Sequence, residues 1–231
     1  MLPFPELIQL ERLIGRHSDR LRVETPTVLG PGAGYPLHVV SLGSRAPEAP
    51  AVGFFGGVHG NERIGSKVVL AFLENLLQLL SWDRQTQALL DGIRIVAIPI
   101  VNPTGMAELK RGTAEGIDLM RNAPIDSDNA HWLLGGQTIS ARLPWYRGQR
   151  GQLAAENRVL SDAVQQHLFS APLSIALDCH SGYGISDRIW FPYAHCRKPI
   201  EHLAEIYALR NLFRRSYPNH TGYRIEPQCS H

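Results

Sequence analysis

The sequence predicts an α/β fold: a mixed, mostly parallel twisted sheet with helices on both faces. Apolar runs of strand length alternate with segments of helical periodicity, and several of the runs end in glycine-containing loops. Strands that alternate with helices in this way are typical of such sheets. The 231 residues, 44% of them hydrophobic, suffice for one medium domain or two small ones. We expect a single domain over residues 1–231 that lacks its C-terminal strand or strands.

The first half of the chain supplies most of the predicted sheet. A short amphipathic helix over residues 5–17 precedes two strands, at 35–43 and 51–57, which are rich in Val and Phe and bounded by Gly and Pro. Apolar side chains then recur at helical spacing over 63–80, which predicts a helix with one apolar stripe. The near-continuous apolar run 93–101 predicts a strand that is covered on both faces.

The second half of the chain continues the alternation. Its pattern predicts a helix at 152–168, a buried strand at 173–180, a strand at 188–193 and a helix at 199–214. Between the two halves, residues 103–150 carry many turn residues and little periodicity. A loop of that length in a compact domain is usually functional or disordered.

Composition and charge exclude several classes of partner. The net charge is +2 and the basic residues form no long run, so we expect no nucleic-acid partner. No apolar run is long enough to span a bilayer, and Glu6 and Glu11 interrupt the region where a signal peptide would be apolar, so we expect no membrane association. Three scattered cysteines do not form a disulfide framework, which favours a reducing cytoplasm. The sequence does not fix the oligomeric state.

Two short motifs offer a set of metal ligands. The stretch GGVHGNERIG at 56–65 places His59 and Glu62 in one turn, where the glycines let the backbone bend. His180 ends a different strand, and if the two strands run parallel, both motifs lie at one edge of the sheet. Catalytic zinc typically takes three such ligands and keeps a position for water. Asp178 shares the strand face of His180 and could hold the other ring nitrogen of a liganding histidine.

Two arginines follow the strand that precedes the long segment. VNPTG at 101–105 closes the strand with turn residues, and Arg111 and then GIDLMRN at 116–122, which contains Arg121, come next. A guanidinium can bind both oxygens of a carboxylate, and near a metal it can stabilise a developing oxyanion. Taken in isolation, both arginines also fit solvated loop residues; as functional residues they would suit a substrate that carries a carboxylate.

Taken in this order over residues 51–184, the motifs resemble those of the zinc carboxypeptidase family, the carboxypeptidase A-like metallopeptidases. The resemblance implies the family's phosphorylase/hydrolase-like α/β fold, with about eight mixed strands. It implies a zinc ion, a peptide substrate and roles for six residues. The metal ligands would be His59, Glu62 and His180. Arg111 would polarise the scissile carbonyl, and Arg121 and Asn122 would bind the C-terminal carboxylate of the substrate.

The sequence departs from the family pattern at two points. Met120 stands where the family usually has Asn before the carboxylate-binding arginine, and its thioether donates no hydrogen bond. By motif order, the family's general-base glutamate and mobile tyrosine would fall beyond His231, so we expect this chain to be part of a longer protein. Glu226 is a poor substitute for the base, because it lies upstream of the expected position.

Three functions remain open at this point. The first is zinc-assisted hydrolysis of an amide bond near the free carboxylate of a peptide. The second is a zinc-dependent deacylase of N-acyl amino acids, since HGNE resembles the first motif of the aspartoacylase and succinylglutamate desuccinylase group, although NPTG and HSGYG favour the peptidase. The third is an inactive zinc-binding module that keeps the fold and lacks the base.

Overall fold

The computed structural model describes residues 4–128, 135–182, 184–220 and 222–230. These residues divide into two compact units by their contacts. The first unit consists of the chain up to Ala123 together with Gly136–Ser181, and the second of Pro124–Gly135 and Gly182–His231, as far as they are described. The single domain over 1–231 that lacks its last strand stays a prediction.

The first unit is built on a five-stranded mixed sheet in the order β1-β2-β4-β3-β5. The strands β1 and β2 are antiparallel, as are β2 and β4, whereas β3 runs parallel to both β4 and β5. The elements in chain order are α1 (Pro5–Arg16), β1 (Arg22–Leu29), β2 (Tyr35–Gly43), β3 (Ala51–Gly56), α2 (Arg63–Leu79), α3 (Arg84–Gly92), β4 (Arg94–Ile98), α4 (Pro103–Glu108), α5 (Ala155–His167) and β5 (Ser174–Cys179). The carboxyl ends of β3, β4 and β5 therefore lie at one edge of the sheet.

Apolar side chains pack against both faces of this sheet. On one face, Ile95 and Ala97 of β4 belong to a buried cluster with side chains from α1, α2 and α3. On the other face, Val96 and Ile98 belong to a second cluster with Val159 of α5. The alternation along β4 follows from the two-residue period of a strand. The predicted mixed α/β sheet with helices on both faces is confirmed.

Helix α2 follows its predicted apolar stripe. Val69, Leu73 and Leu77 are buried on the side that faces the sheet, whereas Ile64 and Val68, which share the helical pattern, are exposed.

No single helix among the described residues is long and apolar enough to cross a membrane. The pair α2 and α3, bent by 114° at the break between them, passes that test by length and composition alone.

The structure adds three elements to those predicted in the first unit and corrects two. Strand β1 and helices α3 and α4 were not predicted, and β4 ends at Ile98, so residues 99–101 already belong to the following turn. The strand predicted at 173–180 exists as β5, but the prediction that it is buried is wrong. Strand β5 lies at the edge of the sheet, and its apolar side chains Ile175 and Leu177 are exposed.

Part of the long segment 103–150 is ordered by one buried amide. The side chain of Gln137 accepts hydrogen bonds from the backbone N–H groups of Ile139 and Ser140. It donates to the carbonyl oxygens of Ser140, Leu143 and Pro144. A loop that closes around a single buried side chain needs no regular secondary structure, and residues 129–134 lie outside the described part.

The second unit contains a two-stranded parallel sheet and one helix. Its elements are β6 (Arg188–Phe191), α6 (Leu203–Ser216) and β7 (Arg224–Pro227), followed by a 3₁₀ turn at Gln228–Ser230. The predicted strand at 188–193 is confirmed over its first four residues, and the helix predicted at 199–214 begins later. Glu226, the weak candidate for a general base, lies in β7, where Arg188 and Trp190 donate to its carboxylate.

Candidate metal centre

The loop that follows β3 packs tightly against the VNPTG motif. Gly57 adopts a left-handed conformation with φ of +69°, which lets the chain turn directly after the strand. A Cβ atom on Gly60 would lie 2.0 Å from the carbonyl carbon of Gly105, so only glycine allows this approach of the two backbones. The N–H of Asn102 donates to the carbonyl of Gly57 at 2.9 Å. Backbone contacts alone therefore hold the loop that carries His59 and Glu62 in place.

The buried side chain of Asn102 joins three segments around this loop. Its Oδ1 caps α4 by accepting from the N–H of Gly105 at 2.9 Å. Its Nδ2 lies 3.4 Å from the carbonyl oxygens of both Val58 and Arg111. One amide therefore connects the start of α4, the loop after β3 and the segment that carries Arg111.

His59 and Glu62 form the buried part of the centre. The imidazole of His59 is 1% exposed, and its Nδ1 lies 2.9 Å from Oε1 of Glu62. Its Nε2 lies 3.3 Å from Oδ1 of Asp118. The other oxygen of Glu62, Oε2, accepts from the backbone N–H of Ser181 at 3.0 Å. Nε2 of His59 and Oε2 of Glu62 are thus held by Asp118 and Ser181, whereas Nδ1 of His59 and Oε1 of Glu62 face each other.

Opposing effects set the pKa values of these groups. Burial raises the pKa of Asp118, but hydrogen bonds from His59 and Arg111 outweigh it and hold that pKa far below its usual value. Burial likewise raises the pKa of Glu62, and hydrogen bonds from His59 and from the N–H of Ser181 reverse the shift. Burial lowers the pKa of His59, whereas its hydrogen bonds to Asp118 and Glu62 raise it overall. Both carboxyl groups are ionised at neutral pH.

His180 follows the last residue of β5 and reaches the same place. Its Nδ1 lies 2.8 Å from Oδ2 of Asp178, so the spacing of two residues brings both side chains to one face of the strand, as the sequence predicts. Its Nε2 is buried and has no hydrogen-bond partner among the described residues. The rings of His180 and His59 meet edge to face, with centroids 4.9 Å apart. A buried ring nitrogen without a partner is costly unless a ligand satisfies it.

These residues fit a zinc ion. His59, Glu62 and His180 each offer one ligand atom, and these atoms lie within 4.8 Å of one another. Two histidine nitrogens and one carboxylate are a common ligand set of catalytic zinc. The remaining polar atom of each ligand is held by Asp118, Ser181 or Asp178, as is usual for metal ligands in proteins.

The two predicted arginines differ in what they contact. Arg111 donates from Nε to Oδ2 of Asp118 at 2.9 Å and from Nη1 to Oε1 of Glu62 at 3.1 Å, and its side chain is 40% exposed. The Nε of Arg121 is buried and has no hydrogen-bond partner within the described ranges. Arg111 therefore lies against the ligand Glu62, whereas Arg121 retains an unused donor.

The side-chain amide of Asn122, which we predict to contact substrate, makes hydrogen bonds to the backbone of the protein. Its Nδ2 donates to the carbonyl oxygens of Arg147 and Gln152, both at 2.8 Å. Its Oδ1 accepts from the N–H of Ala154 at 2.7 Å. The buried amide thus ties the middle of the long segment to its end and to the start of α5, and a contact between Asn122 and substrate stays a prediction.

Comparison with known proteins agrees with this geometry. The family model described as zinc carboxypeptidase matches residues 10–228. The chain belongs to the zinc carboxypeptidase family. The resemblance inferred from the ordered motifs is thereby confirmed, and the family match extends well beyond the motifs on both sides.

Curated relatives of this zinc carboxypeptidase family member are much longer than the chain. Carboxypeptidase D of Rattus norvegicus is 28% identical over 213 residues, which cover 88% of this chain and 13% of the relative. Carboxypeptidase B of Rattus norvegicus is 24% identical over 202 residues, which cover 83% of this chain and 48% of the relative. The matched part of the chain therefore spans less than half the length of either protein.

Solved structures of zinc carboxypeptidases share the fold. Bovine thrombin-activatable fibrinolysis inhibitor, solved in complex with tick carboxypeptidase inhibitor, matches with a TM-score of 0.70 at 19% identity. That match covers 97% of this chain and 76% of the other. Carboxypeptidase A from Helicoverpa armigera matches with a TM-score of 0.72 at 15% identity and covers 96% and 56% of the two chains.

Sequence reasoning missed the role of Asp118. The residue stands in the GIDLMRN motif, but only its arginine and asparagine were assigned functions. The structure places its carboxylate between the candidate ligand His59 and Arg111. The sequence carried a signal: a liganding histidine usually needs a partner on its second nitrogen, and a single aspartate, Asp178, was proposed for two liganding histidines.

Proposed function

We propose that the chain binds one zinc ion through His59, Glu62 and His180 and forms part of a hydrolase that cleaves an amide bond near the free carboxylate of a peptide. The convergence of these three ligand atoms within 4.8 Å carries the proposal. Membership of the zinc carboxypeptidase family supports both the metal and the reaction class. A cytoplasmic location stays a prediction.

The surrounding residues prepare the ligands for this chemistry. Zinc held here would lower the pKa of a bound water molecule and polarise the scissile carbonyl. Asp118, ionised and buried, accepts the Nε2 proton of His59 and so leaves the Nδ1 lone pair free for a metal. Asp178 does the same for His180 through Nδ1, which leaves Nε2 free.

Arg111 is placed to stabilise negative charge on the substrate. Its Nε is tied to the buried carboxylate of Asp118, which limits the motion of the guanidinium. The partly exposed remainder of the side chain lies beside Glu62, one of the proposed ligands. A cation fixed in advance next to the reacting carbonyl stabilises the oxyanion without reorganisation during the reaction.

Arg121 is the proposed binding site for the substrate carboxylate. A guanidinium with a buried, unused donor favours an anionic ligand, and a carboxylate can accept two parallel hydrogen bonds from it. Binding a chain terminus at a fixed distance from the metal would select which bond is cleaved. Met120, which precedes Arg121, packs against the second apolar cluster.

Hydrolysis of matched substrates tests the proposal. The zinc-loaded protein at its full natural length is offered a peptide with a free C-terminus, the same peptide as its C-terminal amide, and an N-acyl amino acid. We expect cleavage of the free peptide only, loss of activity in His59→Ala, and a KM that rises in Arg121→Ala more than in Arg121→Lys, which keeps the charge. Exclusive cleavage of the N-acyl amino acid would favour the deacylase. Zinc binding without turnover of any of the three substrates would favour the inactive zinc-binding module.

A further inference from the structure

Helix α2 begins without the usual stabilisation of a helix N-terminus. Glu62 is its N-cap residue, but its carboxylate makes no capping hydrogen bond, because it faces His59, Arg111 and Ser181 instead. The first turn of α2 contains no acidic residue. Arg63 stands at the first helical position, where a positive charge opposes the helix dipole. Something outside the helix must therefore stabilise the turn that carries Glu62.

Glu6 of helix α1 supplies a negative charge at this turn. Its side chain is 2% exposed, and Oε1 accepts from Nε of Arg63 at 3.0 Å. Its Oε2 accepts from Nη2 of the same guanidinium, so the pair is bidentate. Lys67, one turn further along α2, places its Nζ 3.9 Å from Oε1. A buried carboxylate is tolerated when it is paired in this way, and loss of one partner leaves a buried charge.

The same turn of α2 also lies against the strand that leads to His180. A Cβ atom on Gly65 would lie 1.8 Å from the carbonyl oxygen of Cys179, the residue before His180. The backbone of α2 and the end of β5 are therefore in direct contact. A change in the position of this turn would displace Glu62 and press on the chain next to His180.

We propose that Glu6 is a positioning residue for the zinc site: through Arg63 it fixes the first turn of α2 and with it the metal-binding carboxylate of Glu62. This inference rests on the proposed zinc binding by His59, Glu62 and His180. Glu6 lies in α1, apart from the segments that carry the three ligands, and its effect on the metal passes through Arg63, which is adjacent to Glu62 in the chain.

The chain offers a matched control for this role. Gln9 of α1 donates from Nε2 to Oε2 of Glu74 in α2 at 3.4 Å. This contact joins the same two helices as the pair of Glu6 and Arg63, but it lies on the exposed surface and far along α2 from Glu62. Glu74→Gln therefore removes a carboxylate between α1 and α2 without touching the turn that holds the ligand.

The test measures metal binding directly. The zinc dissociation constant is obtained by competition with a chromophoric chelator for the wild type, Glu6→Gln and Glu74→Gln, at a temperature where circular dichroism shows each metal-free protein to be folded. We expect Glu6→Gln to weaken zinc binding by about tenfold, as changes around metal ligands do. We also expect its Co²⁺ absorption spectrum to differ from that of the wild type, and Glu74→Gln to match the wild type in both.

Two results would overturn the inference while the zinc site stands: wild-type affinity and spectrum in Glu6→Gln, or equal losses in Glu6→Gln and Glu74→Gln. A wild-type protein that binds no zinc would overturn the zinc site itself and this role with it. If Glu6→Gln does not fold, Arg63→Lys is measured instead, because lysine keeps the positive charge but cannot form the bidentate hydrogen bonds with Glu6. We then expect weaker zinc binding than in the wild type, and unchanged affinity would contradict the role of the pair.

Discussion

The loop after β3 and the end of β5 both supply proposed zinc ligands, yet the protein holds them very differently. His59 is fully buried, and its outer partner Asp118 is itself buried and bound to Arg111. His180 is held by Asp178, whose side chain is 52% exposed, on a strand at the edge of the sheet. One side of the centre is part of the core of the first unit, and the other lies near its surface.

This difference shows where the geometry of the site is determined. Moving His59 would break a network of two largely buried carboxylates and the partly exposed guanidinium of Arg111, whereas moving His180 would disturb one partly exposed ion pair. Buried networks are rigid because each unpaired member costs free energy, and exposed pairs contribute little. We infer that His59 and Glu62 are preorganised and that His180 completes the site around them.

The largest expected effect comes from Asp118→Asn. The substitution leaves the guanidinium of Arg111 without its buried partner and removes an acceptor that fixes the His59 ring. We expect the free energy of unfolding to fall by about 3 kcal/mol, because two charge-assisted hydrogen bonds are lost, and zinc affinity to fall by about 10- to 100-fold. Urea denaturation of the metal-free protein and zinc competition measure the two quantities.

Asp178→Asn is the matched substitution on the other side of the centre. Because Asp178 is about half exposed, its loss should lower the free energy of unfolding by at most about 1 kcal/mol. Zinc affinity should still fall by about tenfold, since the His180 ring loses its partner. Equal losses of stability in the two variants would show that the two sides are held alike.

Gly60→Ala is expected to lower stability by less than Asp118→Asn, and without removing a partner of any metal ligand. The added methyl group would overlap the backbone of Gly105, so the loop after β3 must shift away from the start of α4. We expect the free energy of unfolding to fall by about 1–3 kcal/mol. Gly15→Ala in α1 is the control, because nothing lies within 4 Å of its Cβ position and alanine favours helix. A stable Gly60→Ala variant would mean that the close packing of the loop is dispensable.

An effect of the opposite sign, confined to neutral pH, concerns Glu156, a buried carboxyl group in the first turn of α5. Unlike Asp118, whose pKa is lowered by its partners, Glu156 has a pKa raised from 4.5 to about 6 by burial and by the nearby charge of Glu115. A raised pKa in the folded state gives stability that is complete below pH 4.5 and is lost as the pH rises through about 6.

Glu156→Gln should remove this pH dependence. At about 1.4 kcal/mol per pKa unit, the difference between 4.5 and about 6 corresponds to about 2 kcal/mol. The variant should therefore exceed the wild type in stability by up to that amount at pH 7 and match it near pH 4. Denaturation curves across this pH range measure the difference, and parallel curves for the two proteins would contradict the raised pKa.

The sequence was informative where a local pattern determines the structure. The helical spacing over 63–80 predicted α2, and the placement of His59 and His180 after apolar strands predicted that they would meet. Strand β1 was missed because Pro26 and its polar neighbours interrupt the strand pattern, at the point where its register with β2 shifts. Helix α3 was missed, although Asp83 caps it, because it spans only nine residues.

Other features depend on contacts between distant segments, which no local pattern shows. An apolar run such as that of β5 reads the same at the edge of a sheet as at its centre, so its exposure could not be predicted. The partnership of Asp118 with His59 joins residues 59 positions apart, and that of Glu6 with Arg63 joins residues 57 positions apart. Both became visible only when the fold brought their elements together.

Zinc content per chain, measured by mass spectrometry on wild type and His180→Ala purified without chelator, tests the central claim most directly. We expect about one zinc ion in the wild type and a large loss in the variant, since His180 would complete a site begun by His59 and Glu62. A wild-type protein without zinc, or a variant that retains it in full, would contradict the assignment of the three residues to one metal centre.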